Sequence, residues 1–283
     1  CAQYGNEIQS ARKTAKQQVA NEQLLFPLQW KLDSSFVDSI IFSGYKALKK
    51  KSEVTQLDVL YFDQQQPYSK KVPYYNTYKG QTYIQKPAAY IIPQAWHEVI
   101  ERLRINNVKM YSFRRDTVLK VEAYTIKSYN TGKSAYEGHY LHNNVSVESD
   151  SQFIQFYSGD YLIYCNQECN RYIIETLEPQ GVDAFFSWNF FDEILQQKEW
   201  FSDYLWDEVA LQILKDNPKM KADFEAKKSS DATFSSNSWA MYSWIFERSN
   251  WYEPSHLRYP IYRLNQKIPQ NILLEPFRKI SNR

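Results

Sequence analysis

Five aromatic side chains, Phe185, Phe186, Trp188, Phe190 and Phe191, crowd into the segment Glu175-Thr-Leu-Glu-Pro-Gln-Gly-Val-Asp-Ala-Phe-Phe-Ser-Trp-Asn-Phe-Phe-Asp192. Burying one aromatic side chain contributes on the order of 2 to 3 kcal/mol. A segment this dense therefore has to sit where two parts of the chain close over it. The acids around it, Glu175, Glu178, Asp183 and Asp192, read as solvated flanks. The same mixture would suit a sugar-binding platform, but core at a junction is the favoured reading.

The junction is visible in the patterning. Up to Asn166 the chain reads mainly as strands. Leu28, Trp30 and Leu32 alternate, as do Ile40 and Phe42, and Ala88 to Ile92 is a short apolar strand stopped by Pro93. Further strands are expected over Val108–Arg114, Thr117–Lys127, His139–Ser149, Gln152–Tyr157 and Asp160–Cys165, with Ser158-Gly159-Asp160 as a hairpin turn. Pro67 to Tyr78, Tyr-rich and broken by Pro67 and Pro73, reads as an edge strand or extended loop. One helix, Gln94–Asn107, interrupts them, with Trp96, Val99, Ile100 and Leu103 on one face.

After Asn166 helices are expected over Gln167–Leu177, Phe190–Gln197, Ser202–Lys215, Pro218–Lys228 and Asp231–Ser249. Asn217-Pro218 is an N-cap followed by Pro at the first helical position. A strand at Tyr259–Leu264 closes the pattern. Strands first and helices later predict an α+β fold, with mixed or antiparallel, sandwich-like sheets. The expected division is a helix over residues 1–23, a strand-rich domain over 24–166, a helical region over 167–264 packed on it, and a weakly patterned tail over 265–283.

Charge excludes one class of partner. The 34 Lys and Arg nearly balance the 32 Asp and Glu, leaving +2. The only dense basic run, Lys46 to Lys51, reads as a solvated strand end, so no nucleic-acid partner is expected. No run approaches the roughly 18 apolar residues of a membrane span. The chain begins at Cys1, which is what lipoprotein processing leaves, or else a boundary of an excised piece. A lipid anchor at Cys1 and a secreted, periplasmic or outer-envelope location are the matching expectations. Cys165 and Cys169, spaced C-x3-C, suit a local disulfide or two inert thiols better than a zinc site, because no second Cys/His pair follows at finger spacing.

Local motifs for chemistry are sparse. None of the seven glycines makes G-x-G spacing, and Gly132-Lys133-Ser134 lacks the upstream glycine of a phosphate loop. His97 and Glu101 share a helix face, one letter short of a zincin motif, and read as a surface pair. Glu137, His139 and His142 form the remaining polar cluster. On a strand Glu137 and His139 share a face while His142 points away, an arrangement that a bend near Gly138 would change; a hydrogen-bonded structural cluster is favoured over a metal site.

Several runs together resemble the C-terminal half of large bacterial zinc carboxypeptidases of the carboxypeptidase A-like family. They are Trp30–Asp33, Val72–Tyr78, Pro87–Gln94 with Trp96-His97, Tyr136–His142, Glu175–Asp192 and His256–Leu264, in order across residues 24 to 264. The resemblance implies that the helix over residues 1–23 closes a peptidase domain lying outside this chain. That family holds zinc with His-x-x-Glu and a later His. Three residues after each histidine here stand Ile100, His142, Val145 and Tyr259, so the resemblance carries over no catalytic or metal residue. It implies a non-catalytic accessory region that stabilises the peptidase domain or shapes access to it, with zinc only in that domain and none in this chain. The alternative is a peptide- or glycan-binding module using exposed Tyr and Trp, such as those in Tyr68–Tyr78. A third reading is an independent enzyme built on Glu137, His139 and His142.

Overall fold

The computed structural model describes residues 2–266, Ile268 and residues 270–273. Cys1, with its expected lipid anchor, and most of the expected tail lie outside the described residues. The chain is α+β. In chain order the elements are α1 (Gly5–Gln17), β1 (Leu25–Leu32), β2 (Asp38–Lys51), β3 (Asp58–Tyr74), β4 (Tyr78–Gln85), β5 (Ala89–Ile92), α2 (His97–Ile105), β6 (Tyr111–Ser112), β7 (Thr117–Thr131), β8 (His142–Phe156), β9 (Tyr161–Tyr164), α3 (Asn170–Leu177), α4 (Asp203–Asp216), α5 (Pro218–Ser230), α6 (Ala232–Ser235), α7 (Ser238–Phe246) and β10 (Tyr262–Leu264).

Two compact units divide the chain differently from the sequence reading. Residues 24–85 form one, and residues 1–23 with 86–283 form the other. The strand-rich stretch 24–166 is thus split at Gln85, because among the described residues β1–β4 pair only among themselves. β1 and β4 make one two-stranded antiparallel sheet, and β2 and β3 make a long antiparallel ribbon. The Lys46–Lys51 run lies on β2 at the end of that ribbon, solvated as expected. Pro67 and Pro73 fit β3 because each strand of a two-stranded ribbon has a free edge.

In the larger unit a six-stranded antiparallel sheet runs in the order β6-β9-β5-β10-β7-β8. β5 is buried along its whole length, so it is covered on both faces. On one face Ala89, Ile91, Val121, Ala123, Leu162, Tyr262 and Leu264 join a single apolar cluster. The helices α4 to α7 carry a separate core around Trp206, Phe224, Phe234 and Phe246. The expected helix over residues 1–23 belongs to this unit. Its π-helical end is held by Asn170, whose Nδ2 donates to the carbonyls of Val19 (3.1 Å) and Ala20 (3.2 Å).

Local chemistry explains several departures from the expected elements. The single helix expected over Asp231–Ser249 is two, because Asp231 and Asn237 each cap a new start. Asp231 Oδ1 accepts from Phe234 N (2.9 Å) and Asn237 Oδ1 from Ala240 N (3.0 Å). The two strands expected over 139–157 are one, because β8 pairs with β7 from Thr117↔Phe156 to Thr131↔His142. Ser158-Gly159-Asp160 does turn, with Gly159 at φ +99, but β8 and β9 are not neighbours. The turn crosses the sheet instead. Buried Asp160 holds it by accepting from Gln94 N (2.9 Å) and Tyr157 N (2.8 Å).

The opposite face of the sheet centre holds a buried ionic network. Register places Arg263 of β10 opposite Tyr90 of β5 and Glu122 of β7. Glu178, just past α3, meets Arg263 Nε at 3.1 Å and accepts from Tyr90 Oη at 2.5 Å. Arg263 Nη1 also donates to Glu122 Oε2 (2.9 Å) and Tyr124 Oη (2.7 Å). Glu178 is only 1% exposed and Tyr90 fully buried. Burial raises the Glu178 carboxyl above its usual range while the Arg263 charge pulls it down. Burial and then the Glu178 charge push the Tyr90 phenol well above its usual range. Removing one partner of such a pair strands the other charge in the interior. Arg263→Ala is expected to cost about 3 to 5 kcal/mol, read by urea unfolding, and Asn217→Ala, which removes the α5 cap, about 1 kcal/mol.

Candidate functional site

The aromatic segment folds as a run of tight turns after α3. Gly181 N donates to Glu178 O (3.0 Å), Phe185 N to Thr176 O (2.9 Å), and Ser187 Oγ to Gly181 O (3.0 Å). A Cβ on Gly181 would come within 2.3 Å of Glu175 O, so only glycine fits there. Phe186 and Phe191 point inward. Phe191 packs edge-on against Trp96 (4.9 Å) and Tyr259 (5.2 Å), and Phe186 against Tyr129 (5.8 Å). Trp188 and Phe190 are half-buried and face a cleft.

That cleft, about 430 Å³, lies within the larger unit. The start of α2 supplies Trp96, His97 and Glu98, the aromatic segment supplies Trp188, Asn189, Phe190 and Glu193, and the turn before β8 supplies His139. The turn owes its shape to Glu137 (φ +48) and Gly138 (φ +83). Two positive φ values in succession are the signature of a type I′ turn, and Tyr136 and His139 exchange backbone hydrogen bonds across it. His139 then stands edge-on to the Trp188 ring at 5.5 Å and 6.0 Å from Phe190. The Arg102 guanidinium lies over Phe190, 4.2 Å from its centre, and 3.7 Å from Glu98.

The expected cluster of Glu137, His139 and His142 is not assembled as a strand face. The turn places Glu137 at an exposed tip and His139 in the cleft. His142 is buried behind it, packed on Phe186 (5.1 Å) and Tyr129 (4.8 Å). Its Nε2 meets Asp192 Oδ1 at 3.0 Å and its Nδ1 meets Thr131 Oγ1 at 3.0 Å. This network assigns the proton to Nε2, donating to the carboxylate, and leaves Nδ1 to accept from the hydroxyl. Asn189 Nδ2 ties the cleft wall to the same group, donating to Tyr140 O (2.9 Å) and Asp192 Oδ2 (3.2 Å). His142 therefore braces the segment that carries Trp188.

Glu101 is taken by Arg104, and His97 Nδ1 lies 3.2 Å from Ala95 O, so the pair does not converge on one point. Among the described residues no three His, Cys, Asp or Glu side chains could hold a metal ion. Tyr68, Tyr74, Tyr75 and Tyr78 are exposed in the smaller unit, with Lys70 over the Tyr68 ring at 5.3 Å. Cys165 and Cys169 stand as free thiols, the second of the two expected states. Cys165 follows β9 with its thiol in the core, where burial pushes it up to about 12. Cys169 precedes α3, its Sγ 3.8 Å from Gln167 Oε1. Glu193 and Asn189 had no local signal in the sequence. They join the cleft only because the turns after Gly181 bring them beside α2.

Comparison with known proteins returns a partial likeness. Carboxypeptidase 2 of Trichophyton tonsurans and carboxypeptidase 2 of Trichophyton rubrum are each 31% identical over 102 residues, 36% of this chain and 19% of theirs. Probable carboxypeptidase 2 of Arthroderma benhamiae is 31% identical over 98 residues, 35% of this chain and 18% of that protein. The match thus spans about a fifth of the relatives' own length, and these relatives are fungal where the motifs suggested bacterial ones. No family model and no solved structure matches the chain. Part of the chain is carboxypeptidase-related. Among the described residues no helix is long and apolar enough to cross a membrane.

The thiol placement is directly checkable. Unfolded without reductant, Cys165 and Cys169 should both take up iodoacetamide. In the folded protein at pH 8 Cys165 should stay unlabelled. A mass that shows neither thiol labelled after unfolding would establish the bridge instead.

Proposed function

We propose that this chain is a non-catalytic region of a zinc carboxypeptidase, and that it packs on a peptidase domain outside the chain and stabilises it or shapes access to it. The partial likeness to carboxypeptidase 2 supports the enzyme class, and the relatives extend far beyond the matched stretch. The histidines here lack the His-x-x-Glu spacing, and the described residues do not fit a zinc ion, so no step of peptide hydrolysis is routed through them. A secreted or envelope location goes with this reading.

The observation that carries the packing role is the β2–β3 ribbon. An isolated two-stranded ribbon is marginally stable in water. This one leaves Ile41 69%, Leu60 61% and Phe62 59% exposed. Register pairs Ala47 with Phe62 and Lys49 with Leu60, and beyond a register shift at Tyr45 it pairs Tyr45 with Pro67, Ser43 with Ser69 and Ile41 with Lys71. Ser43 and Ser69, joined through their hydroxyls, interrupt this face, yet so many exposed apolar side chains on one ribbon mark an interaction surface. Its occupant on this reading is the peptidase domain, which accounts for the extra length of the relatives.

Two measurements test this. The chain alone, given stoichiometric zinc, should release no C-terminal amino acids from peptides, and zinc-dependent release would overturn the reading. Ile41→Asp with Phe62→Asp should leave the melting temperature unchanged, since both side chains are exposed, yet abolish co-elution with the peptidase domain. Co-elution that survives the double substitution would remove the ribbon from the interface.

A further inference from the structure

We propose that the cleft between α2 and the aromatic segment binds a neutral carbohydrate, a role that stands apart from the peptidase reading. Shape and lining come first. At about 430 Å³ the cleft falls within the ordinary range of ligand pockets, about 300 to 1,000 Å³. Trp188 is half-buried and turned to the opening, so it offers an indole surface without being part of the sealed core. Phe190 already carries the Arg102 guanidinium over its ring. Trp188 meets His139 edge-on at 5.5 Å and Tyr136 at 6.2 Å, and the part of its indole left exposed is the platform on which the C–H face of a sugar ring would lie.

Charge then decides the class of ligand. Two carboxylates, Glu98 and Glu193, line the cleft. Arg102, 3.7 Å from Glu98, offsets one of them. The amino end of α2, which has no side-chain cap, adds about half a positive charge. The balance lies close to neutral, so neither a strong cation nor a strong anion is selected.

Hydrogen-bonding capacity points the same way. Glu193 has no ion-pair partner among the described residues and can only accept. The uncapped amide groups at the start of α2 can only donate. His97 and His139 can do either, according to tautomer. A ligand that meets all three needs groups that both donate and accept, together with an apolar face. Vicinal hydroxyls on a pyranose ring supply both.

The base of the cleft is braced for such a load. Asn189 donates to Asp192, which also accepts from buried His142, and Phe191 wedges between Trp96 and Tyr259. Both walls therefore rest on one packed body, which reduces the ordering cost of binding.

The test uses the whole chain, with chitotetraose and cellotetraose as probes in calorimetric and tryptophan-fluorescence titrations. Saturable binding of at least one is expected. Trp188→Ala should weaken it about tenfold, the size of one lost aromatic contact. Glu193→Gln should weaken it by several-fold with an unchanged melting temperature, which separates loss of binding from loss of folding. Trp239→Ala, in the helical core region, should leave binding as it was. Failure of both oligosaccharides to bind overturns the proposal. So does binding that neither Trp188→Ala nor Glu193→Gln weakens, or tighter binding of pentalysine or pentaglutamate than of either sugar.

Discussion

Arg263 is the charge around which the larger unit closes. It sits on β10, a three-residue strand inserted between β5 and β7 in the middle of the sheet. A strand that short contributes little by its ladder alone. What anchors it is the side chain, which reaches Glu178, Glu122 and Tyr124 on one face while Tyr262 and Leu264 fill the apolar cluster on the other. The central sheet is therefore incomplete until a segment close to the end of the chain arrives. Taking two charges out of water is costly, and the cost is offset only because Tyr90 and Tyr124 supply further hydrogen bonds.

The same network positions the cleft. Glu178 opens the run of turns that carries Phe185 to Phe191, so the ion pair fixes where that run begins. Gly181 lets it turn back against Glu175, and Tyr259, four residues before Arg263, packs on Phe186 and Phe191. Trp188 and Phe190 face outward as a consequence. The aromatic segment is thus core and cleft wall at once. Its inward rings hold it in place, and its outward rings are what a ligand would meet.

Much of the fold was legible where local chemistry governs. Asn217 and Pro218 announced the start of α5, and the β-branched run around Val118 to Ile126 announced β7. The expected single helix over Asp231–Ser249 overlooked Asn237, a capping residue whose effect is as local as that of Asn217. Other readings went astray where partners far along the chain decide the outcome. Ser158-Gly159-Asp160 has the composition of a hairpin turn, but its flanking strands pair elsewhere. For Glu137 and His139 the sequence left a strand or a bend near Gly138 open, and positive φ at Glu137 and Gly138 makes the turn that sends His139 and His142 to different environments. For Cys165 and Cys169 the sequence left a bridge and two free thiols open, and the fold settles it by sending one thiol into the core and the other beside Gln167.

By itself the sequence determined the α+β class, the crowding of aromatic residues that had to be buried, and the lack of His-x-x-Glu spacing. Each of these follows from residue type and near-neighbour spacing. Tertiary structure alone decided that the strand-rich half divides at Gln85, that Glu178 is buried rather than solvated, and that Trp188, Glu193 and His139 share a cleft with α2. The reason is physical. A carboxylate reads as surface unless a cation arrives to neutralise it, and Arg263, 85 residues further along the chain, meets Glu178 only in the folded sheet.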